Sequence, residues 1–202
     1  MSKPRYHHGD LANALVAAAL AIVEQRGPEA VSLRELAASL GVSRAAPYRH
    51  FEDRDALLAA VAGRGFEQLI EGYEAALRTP GDGRALLRQA TRVYVDFARK
   101  RPGLFRLMFE SDLLSRSPPP AVLLAPAGKA YDLLWEAVRG AFPDADEREV
   151  KVRTVIMWST TYGYLALQGA GRIKAFMTEP WTQPELDEAL ITAAAEAGGP
   201  KA

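Results

Sequence analysis

The side chains best suited to contact a polyanion are concentrated in one short stretch of the sequence. Residues 43–51 read Ser-Arg-Ala-Ala-Pro-Tyr-Arg-His-Phe. The arginines, the tyrosine and the histidine can donate hydrogen bonds to phosphates or base edges, and the alanines between them allow a close approach. No acidic residue lies between Glu35 and Glu52. This composition predicts a contact with DNA.

Two short helices are predicted to present this stretch. Apolar residues recur at helical spacing over residues 33–40, and Gly41 follows where a left-handed residue ends a helix without steric penalty. A second helix is predicted over residues 44–51, with Ser43 as its N-cap. Pro47 would be only its fourth residue, so it removes at most the first intrahelical hydrogen bond. Two short helices joined by a glycine-containing turn are typical of a helix-turn-helix, which places its second helix in the major groove.

The composition indicates a globular protein with a local rather than a global positive charge. The chain has 202 residues, 49% of them hydrophobic and 25% charged, and its net charge is zero. Residues 1–50 nevertheless hold six basic residues against four acidic ones, together with all three histidines. A modest local excess suits a sequence-specific DNA-binding protein better than a nonspecific one, which needs a larger basic surface.

Several classes of protein are excluded by what the sequence lacks. The absence of cysteine excludes disulfides, thiolate zinc sites and cysteine nucleophiles. Charges interrupt the apolar stretches well short of the roughly 20 residues that a membrane span needs. Residues 1–10 are polar and lack the apolar region of a signal peptide. We therefore expect a soluble, cytoplasmic protein.

An enzyme is not expected. The histidines all lie in the first fifty residues, and no dinucleotide-binding glycine pattern occurs. The adjacent His7 and His8 do not share one face of a helix and so do not form a useful chelate. We expect no catalytic residue, no metal site and no cofactor.

Helical periodicity extends over nearly the whole chain, and no run alternates as a β-strand would. The fold is predicted to be all-α, with an N-terminal three-helix head that contains the motif and a larger C-terminal helical body. The predicted divisions are a DNA-binding domain over residues 1–54, a connecting helix over 55–79 and a C-terminal domain over 84–202. Asp10 and Asp53 are predicted N-caps. The predicted helices beyond the motif cover residues 11–26, 54–78, 85–100, 122–141, 146–169 and 184–197.

The head resembles that of the TetR family of bacterial transcriptional repressors. The match runs from Gly9 to Leu58 and includes Tyr48-Arg49-His50-Phe51 followed by Asp53-Arg54-Asp55-Ala56-Leu57-Leu58. Tyr6-His7-His8-Gly9-Asp10-Leu11, Ala45-Ala46-Pro47-Tyr48 and Arg101-Pro102-Gly103-Leu104-Phe105 are similar to a subgroup whose C-terminal domain is named for a Trp-His-Gly signature. The corresponding stretch here is residues 158–163, in which Tyr162 stands where the subgroup has histidine.

The resemblance implies a sequence-specific regulator, a repressor that a small-molecule effector releases from a palindromic operator. Base edges would be contacted from the start of the second helix, by Arg44 and Ala45. Phosphates would be contacted from its end, by Tyr48 and His50, and Arg49 would serve either purpose. The predicted DNA-contacting residues are Arg34, Ser43, Arg44, Ala45, Tyr48, Arg49, His50 and Arg54.

Two of these residues are assigned a specific contact, and two others have an alternative structural role. By its place at the start of the next helix, Arg54 would hold a phosphate, and Arg34 would reach a base or the backbone. Tyr48 could instead be a hydrophobic anchor of the motif, and His50 could be a helix-capping or packing residue.

The body of TetR-like proteins serves dimerisation and effector binding, so the resemblance implies a homodimer here. Small residues along residues 146–169, together with the last helix over 184–197, would form an isologous contact of two helices from each subunit. The alternative is that these faces only close the core of the subunit.

A largely apolar small-molecule effector is expected, because aromatic and flexible apolar side chains are frequent in the body and no charged cluster occurs there. Each of the candidates is also suited to a place in the core. They are Phe105, Met108, Trp135, Trp158 and Tyr162. The alternative function for the whole chain is a helical protein-interaction module without DNA binding.

Overall fold

The structure, a computed structural model, describes residues 11–196, and within them every regular element is helical. This agrees with the predicted all-α fold. The predicted N-cap Asp10 and the histidines His7 and His8 lie outside the described residues. None of the helices between residues 11 and 196 combines the length and the hydropathy that a bilayer crossing requires.

Nine α-helices and two 3₁₀ helices follow one another along the described part of the chain. The α-helices are α1 (Leu11–Arg26), α2 (Leu33–Ser39), α3 (Arg54–Leu77), α4 (Gly83–Lys100), α5 (Pro102–Phe109), α6 (Ala121–Ala141), α7 (Glu147–Gly169), α8 (Ala175–Thr178) and α9 (Gln183–Glu196). The 3₁₀ helices are Pro28–Ala30 and Pro47–Arg49.

The described residues form two compact units. The first consists of residues 11–67 and 101–127, and the second of residues 68–100 and 128–196. Helix α5 and the segment after it thus belong with the motif. The division into a head, a connecting helix and a C-terminal domain, which the sequence suggested, stays a prediction.

In the first unit, α1 packs against α2, both 3₁₀ helices and α5. Leu15, Val23 and Leu104 are completely buried, and each such side chain contributes about 1.5–3 kcal/mol through the loss of contact with water. Burial of apolar side chains of this kind supplies the main stabilisation of the unit that carries the motif.

In the second unit, α9 packs against α4 and α7. Two arginines of α4 pair with acids of α9: Arg92 Nη1 lies 2.6 Å from Glu188, and Arg99 Nη2 lies 2.7 Å from Asp187. The second pair is the less exposed of the two, and Tyr164 of α7 also donates to Asp187, at 3.0 Å. These charge-assisted hydrogen bonds hold α4, α7 and α9 in one register relative to each other.

Candidate nucleic-acid interface

Helix α2 is closed at both ends by local hydrogen bonds. At its start, the Ser32 hydroxyl accepts from the Glu35 N–H at 3.4 Å. At its end, Gly41 has a φ of 69°, and its N–H donates to Ala38 at 3.2 Å. The next N–H, that of Val42, donates to Ala37 at 3.0 Å. This pair of bonds is a Schellman motif, so the predicted role of Gly41 is confirmed.

The α-helix predicted over residues 44–51 is wrong. A turn is followed there by the 3₁₀ helix Pro47–Arg49, which begins after Ala46 and has no side-chain cap, whereas Ser43 was the predicted cap. The reason is Pro47, which has no N–H to donate to the Ser43 carbonyl; that carbonyl accepts from Ala46 instead, at 3.0 Å. Arg49 then donates to Ala46 at 3.2 Å, so the chain keeps the tighter three-residue winding.

Pro47 is the buried residue of this segment; Tyr48 after it is exposed, and Ala46 before it is half-buried. The Tyr48 side chain is 55% exposed, which argues against the alternative that it anchors the motif core. The exposed members of the predicted DNA-contacting set are Arg34, Ser43, Arg44, Ala45, Tyr48, Arg49 and His50.

Three of these residues are cations that form no ion pair with any residue between 11 and 196: Arg34, Arg44 and Arg49. Elsewhere in the described chain, arginines such as Arg92 and Arg99 are paired with carboxylates. An unpaired guanidinium keeps its donors available for a phosphate or for the edge of a guanine. The segment is therefore equipped to bind an anionic surface.

Arg54 differs from the other predicted contacts because the protein itself occupies its guanidinium. Its Nε donates to the Val31 carbonyl at 3.1 Å, and its Nη2 donates to the Pro28 carbonyl at 2.5 Å. Its Nη1 lies 3.4 Å from Asp55. Arg54 therefore braces the first 3₁₀ helix against the start of α3. A phosphate contact by its exposed part stays a prediction.

The start of α3 has two further supports. The predicted N-cap Asp53 accepts from the Ala56 N–H at 2.8 Å, which confirms its role. Arg116 pairs with Asp55 at 2.8 Å and with Asp112 at 3.2 Å, and hydrogen bonds to these two carboxylates raise the pKa of Arg116. Sequence reasoning missed this contact, since a separation of 61 residues leaves no local signal.

The predicted effector-contacting residues do not form one cluster. Phe105 and Met108 are buried in the core of the first unit, whereas Trp135, Trp158 and Tyr162 belong to the second unit. Trp158 alone among the five lines a small cavity of that unit, whose volume of about 10 Å³ is just large enough for one water molecule. The other lining residues are Tyr73, Thr91, Tyr94, Leu134, Met157 and Thr161.

The polar groups around this cavity are hydroxyls and an indole. The Trp158 indole Nε1 donates to the Tyr94 hydroxyl at 3.2 Å. Thr91 and Thr161 donate back to carbonyls of their own helices, each at 2.8 Å. Complete burial raises the pKa of Tyr73, so its hydroxyl stays protonated. The cavity wall is therefore apolar with neutral hydrogen-bonding groups.

Two family models match the chain. Residues 15–61 match the model described as "Bacterial regulatory proteins, tetR family", and residues 87–193 match "Tetracyclin repressor-like, C-terminal domain". The proposed Trp-His-Gly subgroup is not confirmed by these matches and stays a prediction.

Similar proteins include regulators and structures of the same fold. The HTH-type transcriptional activator FasR of Mycolicibacterium smegmatis is 31% identical over 61% of this chain and 57% of its own length. The nucleoid occlusion factor SlmA of Escherichia coli O1:K1 / APEC is 33% identical over 48% of this chain and 52% of its own. The chain thus spans little more than half the length of these relatives.

Two solved structures extend the similarity over nearly the whole chain. A protein with unknown function from Rhodococcus sp. RHA1 has a TM-score of 0.78 and 29% identity, with 96% of each chain covered. The TetR family regulator PfmR from Thermus thermophilus has a TM-score of 0.63 and 20% identity, covering 93% of this chain and 99% of its own. The second likeness is one of fold.

Replacing Arg54 with Ala tests its bracing role. We expect Arg54→Ala to lower the free energy of unfolding by about 1 kcal/mol or more, because two backbone carbonyls lose a charged donor. Arg49→Ala is the matched control, since Arg49 is exposed and unpaired, and it should change stability by less than about 0.5 kcal/mol. Urea unfolding of both variants measures the difference. Equal stabilities would show that Arg54 does not brace the motif.

Proposed function

This chain belongs to the tetR family of bacterial regulatory proteins, and on that premise we propose that it binds a palindromic DNA operator as a homodimer and represses transcription until a small-molecule effector releases it. Such a regulator acts in the cytoplasm, where the chromosome lies. The similar protein FasR is a transcriptional activator, so repression rather than activation is itself part of the proposal. A reporter gene behind the operator tests it, since loss of the protein should raise expression.

The observation that carries the proposal is the set of exposed side chains on the turn and 3₁₀ helix after α2, most of which are hydrogen-bond donors. Arg44 and Ala45 precede the 3₁₀ helix, while Tyr48, Arg49 and His50 lie on it or at its end. We propose that the first two residues contact base edges and that the last three contact phosphates. A steep fall in DNA affinity with added salt supports this assignment, whereas a protein-interaction module would show no such dependence on duplex DNA.

The dimer is proposed to form through α7 and α9. Val155, Ile156 and Leu167 of α7 are large apolar side chains that are 50%, 37% and 46% exposed, and a partner helix would remove them from water. Gly163 lies between them, and a Cβ built there would meet no atom within 4 Å. Ala194 and Ala195 of α9 are buried inside the subunit, so the outer face of α9 contributes without them. In this dimer, the helix-turn-helix segments of the two subunits would meet successive major grooves, about 34–36 Å apart.

The effector is proposed to enter at the small cavity of the second unit. No charged side chain lines it, so a charged ligand would lose its hydration without compensation. Because the cavity holds about one water molecule, a larger ligand has to displace the walls. We propose that this displacement of the cavity walls couples effector binding to release from DNA.

The first prediction of the proposed function concerns base readout by Arg44. Arg44→Ala should weaken binding to the palindrome selected from random duplexes by about 1–3 kcal/mol and relax the preference at one base pair of each half-site. Random DNA should be affected much less. Arg78→Ala is the matched control, because Arg78 is exposed and lies in the second unit. Fluorescence anisotropy on both duplexes decides the matter, and an equal loss on both would make Arg44 a phosphate contact.

The second prediction concerns the dimer. Gly163→Glu is accommodated within the subunit because the space around Gly163 is open, yet it would bury an unpaired charge between subunits, at a cost of several kcal/mol. Sedimentation at micromolar concentration should show the wild type at twice the subunit mass of 22.0 kDa and the variant at the subunit mass. Gly128→Glu, also in open space, should remain dimeric. A dimeric Gly163→Glu would place the interface elsewhere.

The third prediction concerns the effector. Uncharged apolar compounds, such as long-chain alcohols and aromatic ketones, should release the protein from labelled operator, and sugar phosphates should not. Trp158→Ala should change the concentration of compound needed severalfold, because Trp158 forms part of the cavity wall. Trp181→Ala is the control, since Trp181 is exposed and lies outside that wall. The same change in both variants would exclude this cavity as the effector site.

A further inference from the structure

Helix α5 begins unusually close to α1. A Cβ built on Gly103 would lie 2.2 Å from the Val23 carbonyl oxygen and 3.0 Å from the Glu24 Cα. Real Cβ atoms do not approach that closely, so any other residue at this position would force the two helices apart. The Arg-Pro-Gly sequence that opens α5 therefore has a structural purpose: it lets the first turn of α5 lie against the last turns of α1.

The first turn of α5 lacks a cap of its own. Arg101 occupies the N-cap position without a side-chain hydrogen bond to the helix, and Pro102 follows as the first helical residue. The N–H groups of Gly103 and Leu104 are left facing the carboxylate of Glu24, which belongs to α1. A negative charge at a helix N-terminus is favourable, so α1 supplies the charge that the sequence around α5 does not.

The Glu24 carboxylate is held here at some cost to folding. Its side chain is only 18% exposed, and Oε1 has no hydrogen-bond partner within the described residues. The nearest cation, Arg101 Nη1, lies 3.6 Å away. Burial raises the pKa of Glu24 above its ordinary value, although Arg101 and the N–H groups of α5 act in the opposite direction.

The raised pKa of Glu24 determines how its ionisation affects the stability of the fold. A carboxyl group whose pKa is higher in the folded state binds its proton more tightly there, so stability is greatest below the ordinary pKa and falls as pH rises through the folded value. At neutral pH the ionised Glu24 therefore stabilises the fold less than a neutral side chain of the same shape would. A gain in stability from the charge does not account for an acid at this point.

We propose that Glu24 is a positioning residue whose carboxylate, set between Arg101 and the first turn of α5, fixes the angle between α1 and α5. Since α2 and both 3₁₀ helices pack on α1, that angle also sets the direction in which Arg44 and Tyr48 face. Its consequence for operator binding rests on the proposed function: a dimer gains affinity from two heads only when both are held at the operator's spacing.

The test is a distance within one chain. Spin labels are attached through Ala38→Cys on α2 and Arg106→Cys on α5, both exposed positions, and the chain has no cysteine of its own to interfere. Labelled subunits are diluted with unlabelled ones, and pulsed electron double resonance gives the distance distribution. Gly103→Ala shows how far the distance moves when the helices are forced apart.

Glu24→Gln decides the proposal, because it removes the charge and keeps the shape. We expect a shifted or broadened distance, a melting temperature no lower than that of the parent, and a loss of about tenfold or more in palindrome affinity with single half-site affinity unchanged. Glu67→Gln is the matched control, since Glu67 pairs with Arg64 at 2.9 Å on the exposed surface of α3, and it should change none of these. An unchanged distance in Glu24→Gln overturns the proposal, whatever happens to DNA binding.

The distance also separates this inference from the proposed function. If the unmodified protein binds no palindrome, the proposed function fails, yet the distance in Glu24→Gln still confirms or overturns the role of Glu24. If the palindrome is bound and the distance does not respond, only the role of Glu24 fails.

Discussion

Helix α1 is the element on which the first unit depends, because it has to be buried on several sides at once. The helix-turn-helix elements pack on it from one part of the chain, and α5 packs on it from a part some eighty residues later. Leu15, Ala19 and Val23 have no exposed surface at all. Small and medium side chains are what permit such crowding, since packing at this density leaves little room for larger ones. A displacement of α1 therefore reaches the motif and α5 together.

The pattern of apolar residues located α1 to α4, α6, α7 and α9 to within two residues, because burial of a continuous face is a local and periodic signal. It did not identify the short helices α5 and α8. Local chemistry also identified Gly41 and Asp53 as the residues that end α2 and cap α3. The α-helix predicted over residues 44–51 was wrong, because a turn and a 3₁₀ helix occupy this segment. The missing N–H of Pro47 was counted as one lost bond, whereas the carbonyl that it left free was taken by another donor and the winding changed.

Contacts between distant parts of the chain were beyond the reach of the sequence. Arg54 was assigned to DNA from its position, and nothing near it in the sequence indicates the carbonyls of Pro28 and Val31 to which it donates. The aromatic candidates for effector binding were chosen by residue type. Type does not tell a core residue such as Phe105 from a cavity wall such as Trp158, because both need the same apolar side chain.

The burial of Pro47 has a consequence for how the protein can change over generations. Pro47 is buried, whereas Arg44, Ala45, Tyr48, Arg49 and His50 around it are exposed. Exposed positions of this kind accept most substitutions at a cost of less than about 0.5 kcal/mol. Selection can therefore rewrite the surface of the segment while the scaffold beneath it stays the same. The buried Pro47 is thus constrained by the core, whereas the exposed side chains around it are free to diverge.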